Sequence, residues 1–206
     1  TNVSCPESGP AQTFPVTDHV KNFGQYNESD FKTYVEIAEL DINNQAELLT
    51  EEFSGSTFPP DGWTRTHNNW MYSSTSYAGG STGEARFYYS PYSTDIFRLV
   101  THAIDTGGYD AIKIEFKHYI DHYISPYTVK LETSEDGINW DVLWKIEPTE
   151  DIGPESINIL TDKNIGSKTY ISWTFEGNSY NINNWYVDDI NILGYYLLEP
   201  EYEYNL

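Results

Sequence analysis

Two adjacent carboxylates, Asp188 and Asp189, interrupt the strand-like stretch "NNWYVDDINIL" (183–193) where its apolar phase slips. Trp185 and Val187 put the apolar face on odd positions; Ile190 and Ile192 put it on even ones. Successive strand side chains point to opposite faces, so an uninterrupted strand cannot do both. One inserted residue resolves the conflict, as a β-bulge or as a strand leaving its ladder, and lets both carboxylates reach one side. Two carboxylates about 5 Å apart repel by roughly 3 kcal/mol at an effective dielectric of about 20. A hard divalent cation reverses that sign, and Ca2+ accepts about six to eight oxygens in flexible geometry. Glu51 and Glu52, ahead of the first core strand, offer partners if the terminal strands run side by side. The competing reading leaves one Asp solvated and the other hydrogen-bonded to backbone at the bulge.

Other chemistry is sparse. There is no Gly-x-Ser-x-Gly elbow and no phosphate-cradling glycine loop. Of the histidines at 19, 67, 102, 118 and 122, only His118 and His122 share a strand face, about 13 Å apart at ~3.3 Å per residue. Zinc–nitrogen bonds of about 2 Å rule out one shared ion. "SEDGINW" (134–140) resembles the Asp-box of sialidases but lacks the spacer before glycine and occurs once; a hairpin turn suffices to explain it. A glycosidase needs two carboxylates facing each other across a cleft, ~5–9.5 Å apart, which neighbours on one strand do not provide. The expectation is a non-enzyme.

The elements that must position the carboxylates are strands. "AIKIEFKHYIDH" (111–122) alternates most clearly, and "YTVKLETSEDGINWDVLW" (127–144) reads as a hairpin turning at Asp136-Gly137. Further strands are predicted at 69–73, 84–89, 95–101, 156–160, 168–176 and 185–193, with "FKTYVEIAEL" (31–40) also alternating. Pro59-Pro60-Asp61-Gly62 is a turn, and 41–50 is the best candidate for a short helix. This spacing predicts an all-β chain, an antiparallel jelly-roll β-sandwich, preceded by a Pro-containing extended arm. The expected division is an arm with an extra strand over 1–47, the sandwich over 48–194, and an aromatic, acidic tail over 195–206.

Charge excludes some partners. Lys and Arg total 11 against 32 Asp and Glu, a net charge of −21. Phosphate binding needs clustered basic residues, so nucleic acid is not expected. No apolar run approaches the ~20 residues that span a bilayer, so neither is membrane insertion. The single cysteine, Cys5, cannot form an internal disulfide, leaving stability to packing or metal. Asn2 and Asn27 match the glycosylation acceptor pattern.

"EEFSGSTFPPDGW" (51–63), "FKHYIDHY", "VKLETSEDGINW" and "NNWYVDDINIL", taken together over about 48–194, resemble cleaved-adhesin or choice-of-anchor jelly-roll domains, relatives in shape of MAM domains. The resemblance implies an extracellular or cell-surface, non-catalytic adhesion or binding module stabilised by structural calcium. It places the metal ligands on Glu51 or Glu52 and on Asp188 or Asp189. The partner expected is a cell-surface or matrix protein, or a glycan met by Trp70, Tyr72 and Tyr77 in "NNWMYSSTSYAGG" (68–80). Two alternatives remain: a subunit of a cell-surface filament built by strand exchange through the arm, and a glycan-binding module of a secreted enzyme.

Overall fold

Strict alternation on β7 (Ala111–His122) buries Ile112, Ile114, Phe116, His118 and Ile120, and leaves Lys113, Glu115 and Lys117 on the opposite face. The same logic organises the rest of the computed structural model, which describes residues 40–55 and 57–197, with backbone alone at 40, 42 and 43. One sheet runs β10 (Ile152–Thr161), β7, β12 (Ile182–Leu197), β4 (Glu84–Tyr88), β3 (Trp70–Ser73), with β1 (Leu40–Glu51) also paired to β12. The other runs β2 (Thr64–Arg65), β5 (Thr94–Val100), β11 (Lys168–Asn178), β8 (Tyr127–Ser134), β9 (Asp141–Ile146), with β6 (Ile104–Asp105) paired to β11. Every pairing is antiparallel, and the chain is an all-β sandwich.

Aromatic contacts join the two inner faces. Phe87 of β4 stacks on Phe175 of β11 with centroids 4.4 Å apart, and Phe116 of β7 meets Trp173 of β11 edge-on at 5.7 Å. Trp70 and Trp185, both fully buried, meet at 5.3 Å. These rings make up much of the apolar burial that offsets chain entropy where no disulfide is possible.

β12 is the longest strand, and its neighbours explain the phase slip. β7 flanks one side along almost its whole length. On the other side Asn184–Val187 pair with β4, then Ile190–Leu197 pair with β1. The changeover falls at Asp188 and Asp189, beside the point where β1 ends and β4 begins.

The expected helix over 41–50 is a correction: these residues belong to β1. Ten residues of weak apolar periodicity cannot sustain a helix alone, whereas the free flank of β12 offers Gln45–Glu47 and Leu49–Thr50 a ladder. The two-residue strands β2 and β6 carry no pattern to read. Of the expected arm, residues 40–47 lie in β1; the rest, with Cys5, Asn2, Asn27 and nearly all of the strand at 31–40, lies outside the described residues. So does the tail beyond Leu197.

Candidate functional site

The bulge is present. Asp188 pairs with Lys117 and Asn191 with Glu115, so three steps on β12 oppose two on β7. Asp189, at the extra position, takes φ 47°, a left-handed conformation of the kind glycine supplies in G1 bulges. Trp185 and Val187 before it and Ile190 and Ile192 after it are all fully buried in the core.

Alternation then sends Asp188 to the outer face of the sheet, where it is nonetheless 0 % exposed. Neither carboxylate oxygen has a hydrogen-bond partner. Burial pushes its pKa up to about 7; the nearby N–H of Asp189 opposes this without reaching hydrogen-bond geometry, and the charges of Asp189 and Glu84 add to it. Asp189 is better compensated, its Oδ2 lying 2.7 Å from Lys117 Nζ.

What covers Asp188 is the loop between β3 and β4. Gly80 in that loop has φ 141°, and a Cβ built there would lie 2.9 Å from an oxygen of Asp188 and 2.9 Å from one of Asp189. Both carboxylates thus converge on one point, and only glycine leaves it clear. Glu84, at the start of β4 and fully buried, holds the loop down. It accepts from the backbone N–H groups of Tyr77 (2.9 Å) and Ala78 (2.8 Å) and from the Thr75 hydroxyl.

The two N-terminal candidates take different positions. Glu51 Oε1 accepts from Phe53 N–H at 2.6 Å, fixing the turn that ends β1; burial raises its pKa, against the pull of that N–H. Glu52 lines a shallow recess with Glu47, Gly80, Ser81, Asp189 and Asn191. Among the described residues no three His, Cys, Asp or Glu side chains are gathered as a metal cluster. Buried Asp188 and partly exposed Asp189 present only oxygen donors, a set that would suit a hard cation such as Ca2+.

Of the aromatic candidates, Trp70 requires correction. Its ring lies wholly in the core and its indole N–H donates to Phe97 O at 3.2 Å, so it cannot face a ligand. Its place on the apolar phase of β3, opposite Phe87, sends it inward. Tyr72 is half-buried, and Tyr77, 56 % exposed, leans on Tyr186 (4.9 Å) and Tyr119 (6.1 Å). His118 sits among Phe116 and Trp144 with Nε2 3.1 Å from Glu155; burial lowers its pKa. His122 contacts the Tyr127 hydroxyl instead, so the two histidines share no partner. In the 134–140 turn Asp136 accepts from the N–H groups of Asn139 and Ile138, which hold its carboxyl well below the usual range. The hairpin explains that motif.

Sequence reasoning missed Gly80, Glu84 and Lys117. A Gly-Gly dipeptide such as Gly79-Gly80 favours a turn, but nothing local says which carboxylates a turn will approach.

No protein-family model and no curated protein matches this chain. Solved structures do. The K1 cleaved adhesin domain of Lys-gingipain from Porphyromonas gingivalis aligns with a TM-score of 0.52 at 15 % identity, covering 72 % of this chain and 97 % of that one. The K3 domain of the same protein aligns at 0.51 and 18 %, covering 71 % and 99 %. A carbohydrate-binding module solved with β-1,4-galactotriose aligns at 0.49 and 16 %, covering 72 % and 94 %. At these identities the likeness is one of fold. The chain shares the β-sandwich of cleaved adhesin domains. Among the described residues no helix is long and apolar enough to cross a membrane, which says nothing of a β-barrel.

Proposed function

We propose that this chain is a non-catalytic, extracellular binding module whose β12 changeover is closed by Ca2+. The observation that carries the proposal is Asp188: a fully buried carboxylate, both oxygens unpartnered, converging with Asp189 on the space that Gly80 leaves open. A buried carboxylate without a partner is costly unless it is protonated or meets a cation. Asp188 and Asp189 would hold the ion, with Glu52 at the rim; when bound it supplies the positive charge that two converging carboxylates lack. Its effect is structural, tying the end of β1, the bulge and the 74–83 loop together. The shared sandwich of the cleaved adhesin domains agrees with a surface-exposed binding role.

Melting with and without chelator tests it. A ligand that binds only the folded chain stabilises it by about 2.7 kcal/mol at a hundredfold excess over Kd. For a chain of this size that is roughly 5–11 °C in Tm. EDTA should lower Tm by such an amount and Ca2+ restore it. Asp188→Asn and Asp189→Asn should each abolish most of the shift, and Glu147→Gln, at an exposed site on the far side of a Lys145 contact, should not. Asp151 would be a poor control, because it accepts from His122 N–H at 2.8 Å. A calcium shift equal in all four proteins, or none in the wild type, rejects the site.

A further inference from the structure

We infer that ligand is bound at one end of the sandwich, on a tyrosine-lined tip formed by residues 89–93, 123–126 and 178–183, and that the ligand is a neutral glycan. This deepens the binding-module reading and rests on it.

The tip exposes an unusual share of large side chains. Tyr92 is 69 % exposed, Tyr123 55 %, Ile124 52 % and Tyr180 49 %. Tyr180 is central: Tyr92 meets it edge-on at 5.9 Å from one side and Tyr123 at 5.5 Å from the other.

The loops beneath these rings are cross-braced. Ser179 is fully buried; its N–H donates to Ser93 O, its hydroxyl donates to Tyr89 O at 2.8 Å, and it accepts from Ser93 N–H at 3.1 Å. Asn178 Oδ1 caps the short 3-10 turn 179–181 by accepting from Tyr180 N–H. Ile124 N–H donates to Asn181 O, and Asn181 Nδ2 to Pro126 O, both at 2.9 Å. Asn69 Nδ2 reaches Tyr88 O and Pro91 O from below. Rings held this way reach a ligand with little ordering still to be done, which is how Tyr-rich binding loops gain affinity.

Charge selects the ligand class. The three segments contain no Asp, Glu, Lys or Arg, in a chain of which 21 % is charged. Of the flanking carboxylates, Asp121 is occupied by Asn183 and Asn184, Asp151 by His122 N–H, and Asp95 by Ile96 N–H and His67, while Glu147 and Glu150 on either side of the Pro148 contact are exposed. An anionic ligand would find no basic fork here, and a cationic one no carboxylate within the three segments. A protein interface draws its strongest contacts from Arg as well as aromatic anchors, and the three segments hold no Arg. Tyrosine faces suit the C–H faces of a sugar ring, while phenol, Ser and Asn groups answer its hydroxyls.

Affinity electrophoresis of the full chain in gels containing β-1,4-galactan, β-1,4-mannan, xylan or polygalacturonate tests the assignment. At least one neutral polysaccharide should retard the chain, and polygalacturonate should not. The double variant Tyr92→Ala/Tyr180→Ala should weaken that retardation at least tenfold with its melting curve intact, whereas Val142→Ser, exposed on β9, should bind as wild type. If Tyr77→Ala abolishes retardation while the tip variant retains it, the tip is not the site. If no neutral polysaccharide retards the chain, the glycan assignment falls, and the calcium-dependent melting above remains to judge the module reading separately.

Discussion

In EDTA, raising the pH from 4 to 7.5 should cost this chain up to about 4 kcal/mol through Asp188 alone. Its folded pKa is raised to about 7 from an ordinary 3.8. Between those values the unfolded chain has released the proton and the folded chain still holds it. The contribution is therefore complete below about pH 4 and is lost as pH rises through 7, with a slope of about 1.4 kcal/mol per pH unit. At roughly 2–4 °C per kcal/mol the whole excursion is on the order of 8–16 °C in Tm. Many other carboxylates titrate as well, so the quantity to measure is wild type minus Asp188→Asn across the range. Calcium should flatten that difference, because the ion binds the charged form. A difference that is already flat in EDTA would mean that Asp188 has a partner in the folded protein.

Glu84→Ala should be the most damaging single change outside the apolar core, at about 3–5 kcal/mol. It strips three donors of a charged acceptor, two of them backbone N–H groups, and a charge-assisted hydrogen bond is worth about 1.5–3 kcal/mol. The loss extends beyond stability. Glu84 is what keeps the 74–83 loop against β12, and with it the approach of Gly80 to the two aspartates. Chemical denaturation should show the cost, and the remaining folded protein should have lost its melting response to calcium. A Glu84→Ala protein that keeps the response would separate the loop from the ion.

The strands were legible because each buries one face, and a period of two survives in the sequence wherever that holds. β7 could be read almost residue for residue. The parity change around Asp188 was legible for the same reason, since Trp185 and Ile190 cannot both be buried without an extra residue between them. What the sequence could not supply was the cause: β4 and β1 sharing one flank of β12, contacts between residues 96 to 157 positions apart. Trp70 goes wrong because the short strand expected at 69–73 does not say which of its faces is the inner one; its pairing opposite Phe87 turns it inward. Residues 41–50 misled because a strand supported by a distant partner needs little pattern of its own. Gly80 and Glu84 were invisible because their roles lie entirely in what folds up against them.

The β1–β12 ladder has a mechanical side. Leu40 pairs with Leu197, so the first and last described residues lie next to one another at one end of the ladder. Tension applied at those two points pulls across the ladder from its open end, and the pairs part in sequence, like a zipper, each resisting alone. Peeling advances from Leu40↔Leu197 toward Glu51↔Ile190, and it halts at the bulge, where Asp188 and Asp189 sit at the foot of the zipper.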